Sequence, residues 1–175
     1  MQVDVENLSE AGEAFAHTYE PGELDLEDES ARLISPAIVG GRASRKRDEV
    51  RLRGTIKTEV EMPCDRCLRS TRVPVEVEFD AGFIPAERER GATENVELQQ
   101  EDLSVSVFEG ETINIDELVR EQILLALPIR LLCTEDCKGL CPHCGADLNA
   151  EQCSCDRKET DPRWAALAAL KPDQD

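Results

Sequence analysis

Eight cysteines constrain this chain more than any other feature. They fall as Cys64-x2-Cys67 and then, far along the chain, as Cys133-x3-Cys137-x3-Cys141-x2-Cys144-x8-Cys153-x-Cys155. The last six crowd into 133–155 among Lys, Asp, Glu, Asn and Gly, which is loop-like sequence and not the apolar surroundings of buried free thiols. Thiolates are soft ligands that suit tetrahedral Zn²⁺, and two cysteines two residues apart can turn both sulfurs onto one ion. Cys64, Cys67, Cys133, Cys137, Cys141, Cys144, Cys153 and Cys155 are therefore the candidate ligands for one or two zinc ions. In one division Cys64 and Cys67 meet Cys133 and Cys137, leaving Cys141, Cys144, Cys153 and Cys155 for a second ion. In the other a single site leaves thiols over, and spacing does not choose between them. The CPHCG turn (141–145) has the form of a zinc knuckle, Gly145 letting the backbone fold back so that amides face sulfur. His143 reads as an exposed loop residue, since enough cysteines surround it, and His17 carries no functional role.

The cysteines need this explanation because the chain reads as cytoplasmic, where structural disulfides are rare. MQVDVENLSE has neither the basic nor the apolar region of a secretory signal, and ILLALPI (123–129) is far shorter than the roughly 20 residues that span a bilayer. Cys-Pro-His-Cys also occurs in oxidising thioredoxin-fold enzymes, where it caps a helix after a buried strand. Here Gly145 follows at once, no βαβ pattern surrounds the motif, and four further cysteines crowd it. There is no phosphate loop, no HExxH and no nucleophile elbow, and two histidines leave little acid–base equipment near neutral pH. No catalytic residue is assigned, and the chain is expected not to be an enzyme.

Charge narrows the partners. With 20 Lys and Arg against 38 Asp and Glu among 175 residues, the net charge is −18, which repels phosphate backbones and anionic membranes alike. The exception is RASRKRDEVRLR, where Arg42, Arg45, Lys46, Arg47, Arg51 and Arg53 are opposed only by Asp48 and Glu49. These six are the candidate contacts to RNA or a partner, pictured as a basic tip in the turn between two strands. The competing picture is a solvated turn whose bases pair with the acidic 20–29 segment, which holds six carboxylates and no base.

Aromatics are only 3% of the chain, so the core must be aliphatic. Val3, Val5 and Leu8 open with a short alternating run. LISPAIVGGR (33–42) predicts one strand, with Pro36 near its start and Gly40-Gly41 loosening its end. Residues 50–61 alternate Val50, Leu52, Ile56 and Val60 onto one face, and 72–80 do the same with Val73, Val75, Val77 and Phe79. Joined through PCDRCLRST, they predict a hairpin with Cys64 and Cys67 at its tip. Residues 85–102 read as a flexible connection, and 103–108 as one more strand. Asn114 with Glu117 predicts a helix start, Ile115, Leu118, Val119 and Ile123 share a face, and Pro128 stops it. Asp161-Pro162 predicts a last helix carrying Trp164, Leu167 and Leu170. The fold class is thus α+β: a mainly antiparallel β-sheet covered by one or two helices (1–130), then a cysteine-rich zinc-binding C-terminal extension (131–175).

SPAIVGG (35–41), CDRCL (64–68) at a hairpin tip, DELVREQILLALPI (116–129), CTEDCKGLCPHCGADLN (133–149), the CxC at 153–155 and DPRWAAL (161–167) together resemble the YceD family, bacterial large ribosomal RNA subunit accumulation proteins with relatives in plastids. The resemblance covers nearly the whole chain and is loosest at 1–30 and 85–102. It implies a non-catalytic role in 23S rRNA accumulation or processing, hence in ribosome biogenesis and large-subunit assembly. Some members lack most of these cysteines, which implies that metal stabilises this chain and is not the source of the shared function. The expected partner is large-subunit precursor rRNA or a basic ribosomal protein, with no membrane and no small-molecule substrate. The alternatives are a zinc-binding adaptor of a ribosomal or transcription protein and a CPHC thiol–disulfide oxidoreductase.

Overall fold

The computed structural model describes residues 1–87, 105–155 and 163. Its backbone is the predicted hairpin, longer than periodicity alone marks it: β5 (Glu49–Pro63) and β6 (Ser70–Pro85) pair antiparallel from Val50↔Phe83 to Pro63↔Ser70. The alternation works as read. Val50, Leu52, Ile56 and Val60 are fully buried, and Val73, Val75 and Phe79 nearly so, while Glu76 and Glu78 face solvent.

The expected single strand over 33–42 is two. β3 (Arg32–Leu33) and β4 (Ala37–Lys46) both lie along the same edge of β5, separated at Pro36. Proline has no N–H to give the ladder. Ser35 ties the break to β5 as an acceptor instead: its Oγ accepts from the Glu59 amide at 2.7 Å, and its carbonyl accepts from Thr58 Oγ1 at 3.2 Å. Gly40-Gly41 does not loosen the end of β4 but sits inside it. Phe15, Gly41, Gly54 and Phe79 are directly opposed across four strands, and the two phenyl rings reach over the glycines. A Cβ on Gly54 would lie 2.4 Å from the Gly40 carbonyl oxygen and 2.8 Å from Phe79 Cζ.

β2 (Glu13–Tyr19) adds to β4 at one side of the sheet and β7 (Val105–Phe108) to β6 at the other, giving the path β2-β4-β5-β6-β7. The β6–β7 pairing is parallel, the one exception to an otherwise antiparallel sheet among the described residues. The flexible connection expected over 85–102 lies mostly outside the described residues, as does the helix expected after Asp161 apart from Arg163.

β1 (Gln2–Asp4) pairs with β8 (Thr112–Asn114) as a separate ribbon leading into α1 (Ile115–Ala126). The Asn114 cap forms, but Oδ1 accepts from the Asp116 amide at 3.0 Å, one residue short of the Glu117 amide that a capping box would use. Ile115, Leu118, Val119 and Ile123 are the buried face of α1, as their spacing requires, and pack with the sheet face into one core. α1 ends before Pro128, the Leu127 N–H returning to the Leu124 carbonyl. No described helix is long and apolar enough to cross a membrane.

Candidate metal centres

Both centres begin with backbone, which places the sulfurs before any ion does. At the hairpin tip the Cys64 amide donates to the Arg69 carbonyl and the Leu68 amide to the Cys64 carbonyl, each at 2.9 Å, with Leu68 at φ +58°. This turn brings Cys64 and Cys67 to one side. The cysteine-rich segment then docks on the tip from two directions. Leu131 accepts from the Asp65 amide at 2.9 Å and donates its own amide to Asp65 Oδ2 at 2.7 Å. The Leu140 amide donates to the Arg66 carbonyl at 3.0 Å, Arg66 Nη1 to the Cys137 carbonyl at 2.6 Å, and Arg69 reaches Asp147.

The result is a first group, Cys64, Cys67, Cys133 and Cys137, whose four sulfurs lie within 4.8 Å of one another. Cys64 Sγ is 3.8 Å from Cys137 Sγ, and Cys67 Sγ is 3.5 Å from Cys133 Sγ. Four ligands at about 2.3 Å in a tetrahedron stand about 3.8 Å apart, so the cage has the size of a zinc–thiolate site. Three of its four cysteines are buried. Gly139 is required here: it has φ +74°, and a Cβ would come within 2.9 Å of the Arg66 carbonyl that holds the segment in place.

The second group is Cys141, Cys144, Cys153 and Cys155, again with all sulfurs within 4.8 Å. Its knuckle is the CPHCG turn. Gly145, at φ +75°, donates its amide to the Cys141 carbonyl at 2.9 Å, and the Cys141 amide donates to the Ala146 carbonyl at 2.8 Å. Cys144 is exposed, so this cage is more open than the first. His143 is exposed and belongs to neither group. Among the described residues, which run on to 155, no helix follows the CPHC turn: an isolated bridge, Leu140↔Asp147, closes it.

The electrostatics of the cages match their geometry. Burial pushes the Cys64 thiol up, but the amides of Cys67, Arg66 and Cys133 outweigh it and bring it down to about 6. The amides of Cys144 and His143 bring Cys141 down to about 6 as well. The Arg69 amide favours a Cys67 thiolate, yet burial and the neighbouring thiols push that group up to about 12; Cys144, burial and Cys141 do the same to Cys155. In each cage amide donors thus draw one thiol down while neighbouring sulfur pushes another up, so the four titrate as a coupled set.

Asn149 is the residue that spacing did not reveal. Its Nδ2 donates to Cys137 Sγ at 3.5 Å and its Oδ1 accepts from the Lys138 amide at 2.8 Å, while Asp147 Oδ1 holds both its nitrogens. An Asn in a Gly-Ala-Asp-Leu-Asn turn after a knuckle was its only signal.

The six basic residues lie along the β4–β5 hairpin, with Arg45, Lys46 and Arg51 lining one cleft. The turn itself is Arg47-Asp48, with Arg47 at φ +58°, and only Lys46 and Arg47 of the six are exposed at it. Arg42 donates to the carbonyls of Ala11 and Gly12, and Arg45 to those of Arg47 and Val5. Arg51 and Arg53 share Asp80, at 2.6 and 2.9 Å. The acidic 20–29 segment is held by Arg120 of α1, through Glu27 and the Asp25 carbonyl.

The sequence profile described as "Large ribosomal RNA subunit accumulation protein YceD" matches residues 52–171, from the hairpin through both cages. The chain belongs to the YceD family. Among its YceD relatives, the uncharacterized protein YlbN of Bacillus subtilis (strain 168) is 34% identical over 92% of the chain and 89% of its own length. A protein of Arabidopsis thaliana, "Large ribosomal RNA subunit accumulation protein YCED homolog 1, chloroplastic", is 29% identical over 78% of the chain and 49% of its own length. An uncharacterized protein of Mycobacterium tuberculosis is 34% identical over 70% of the chain and 56% of its own length. The chain therefore spans about half the length of the plant and mycobacterial YceD relatives. No solved structure matches it.

Proposed function

We propose that this YceD protein is a non-catalytic ribosome biogenesis factor of the cytoplasm that supports 23S rRNA accumulation and large-subunit assembly, with a structural Zn²⁺ in each cysteine cage. The reading is carried by the family match over residues 52–171, and the name of the Arabidopsis relative supports it. Zinc is supported by the all-thiolate donor sets and by sulfur spacings near that of a tetrahedral site. The ion would contribute cohesion: in the first cage it would tie the hairpin tip to the distant 133–137 segment, closing a long loop that few apolar side chains hold. Depleting the protein should lower the ratio of mature 23S to 16S rRNA and raise large-subunit precursor. An unchanged ratio in depleted cells rules the role out.

A second reading is favoured by charge. The stretch 1–30 carries ten carboxylates and no Lys or Arg, within a chain of net charge −18. Such a surface complements a basic ribosomal protein better than it does bare rRNA. In this reading the protein acts on large-subunit assembly as an adaptor that holds that partner. The CPHC oxidoreductase reading has less support, because Cys141 and Cys144 share a cage with Cys153 and Cys155 and no helix opens directly after Cys144 among the described residues.

A further inference from the structure

We propose that the outer edge of β2 is a strand-addition site for an extended, Lys- or Arg-rich polypeptide segment. This deepens the adaptor reading, on which it rests, by placing the partner and stating its conformation.

β2 pairs with β4 in unbroken register along its whole length, from Glu13↔Ala43 to Tyr19↔Ala37. It ends the sheet, and among the described residues its other side has no backbone partner. Sheet edges are normally protected by Lys, Pro, bulges or brevity. β2 has none of these: its sequence is EAFAHTY, its pairing contains no bulge, and β7 at the opposite side has four residues. Ala14, Ala16, His17 and Thr18 are exposed, so the side chains beside the edge are mostly small and leave its N–H and C=O groups accessible. The edge is also stiff. Phe15 reaches over Gly41 and Tyr19 Oη donates to Asp116 at 2.6 Å, so an incoming strand finds a formed template.

Charge selects the occupant. Glu20, Glu23 and Asp25 follow the Tyr19 end of the strand, where the acidic attraction is concentrated; at the other end Glu13 stands near Arg42 of β4, which lies opposite Ala14 and bonds the Ala11 and Gly12 carbonyls. An acidic or neutral strand would gain the ladder without the attraction, and a nucleic acid would meet repulsion and could not extend the ladder.

The test uses the full chain and three synthetic octapeptides. One alternates Lys and Val, one alternates Glu and Val, and one is the Lys–Val peptide with every amide N-methylated, which keeps the charge and removes the ladder donors. Hydrogen exchange reads where binding occurs. The Lys–Val peptide should slow exchange across residues 13–19, the Glu–Val peptide should not bind, and N-methylation should weaken binding at least about tenfold, the equivalent of one or two net hydrogen bonds. Equal affinity for the N-methylated peptide, protection outside β2, or equal protection of β2 by an oligouridylate would overturn the inference. Co-sedimentation of the chain with large-subunit precursor is measured in parallel. Failure of the peptide with co-sedimentation intact removes this site alone; loss of co-sedimentation with peptide binding intact removes the proposed function and keeps the site.

Discussion

Cys137 and Cys144 occupy opposite extremes of the two cages, one buried and touched by Asn149, the other exposed. Their replacements separate the sites. Cys137→Ser should reduce zinc from two ions per chain to one and speed amide exchange at 64–69, because the hairpin tip loses its tie to the extension. Cys144→Ser should also leave one ion, with exchange at 64–69 unchanged. Elemental analysis of both variants checks this, and a parent protein holding a single ion would refute the two-site division. At the same scale, Asp80 makes a pH prediction. Its hydrogen bond from Arg51, aided by Arg53 against some burial, holds its carboxyl below the usual value of 3.8. A depressed carboxylate contributes stability that is fully present above 3.8 and lost as pH falls through the lower folded value. Asp80→Asn should therefore be less stable than the parent at pH 7, by under about 1 kcal/mol because the pair is partly exposed, and the gap should shrink in melts taken at pH values progressively below 3.8.

The β5–β6 hairpin is the element on which both the core and the first cage depend, and it was the most legible part of the chain. Period-two alternation marks it because one face is buried and the other is wet, so each residue votes on the register. Val75→Asp or Phe79→Asp should unfold the sheet, whereas Glu76→Lys and Glu78→Lys should change stability little, as judged by urea denaturation. The glycines were misread, since the sequence cannot say that two glycines on neighbouring strands meet beneath two phenyl rings. Gly41, expected to loosen the end of its strand, is with Gly54 a close-approach point inside the sheet. Gly54→Val should cost about 1–3 kcal/mol through contact with the Gly40 carbonyl and the Phe79 ring. Gly40→Val, whose Cβ meets nothing within 4 Å, is the control that should be tolerated. β8 and the parallel β7 pairing were also hard to read, because three- and four-residue strands carry too few alternations to declare a partner. Cysteine spacing left two ligand divisions open; the backbone bonds of Asp65 and Arg66 to the 131–140 segment bring Cys133 and Cys137 to the tip and leave the other four together.

At the scale of the whole molecule, charge and metal divide the work. The buried core, which runs from the sheet to α1, contains no cysteine, and the first cage forms a separate small cluster with Leu132 and Leu140. Chelation should therefore unfold 133–155 while the sheet persists, seen as early loss of exchange protection in that segment alone. The basic residues give a second contrast. Lys46 and Arg47 are exposed at the turn, whereas Arg45 holds the Val5 carbonyl, so Lys46→Glu with Arg47→Glu tests RNA contact without disturbing packing. If a basic protein is the partner, that variant keeps its association, and replacing Glu23, Asp25, Glu27, Asp28 and Glu29 by amides slows it. Attachment to the assembling large subunit is tested by sedimentation of tagged protein from growing cells, followed by sequencing of the RNA in its fractions. The protein should travel with large-subunit precursors and enrich unprocessed 23S rRNA ends; protein confined to the top of the gradient, or rRNA from the small subunit alone, would rule the attachment out.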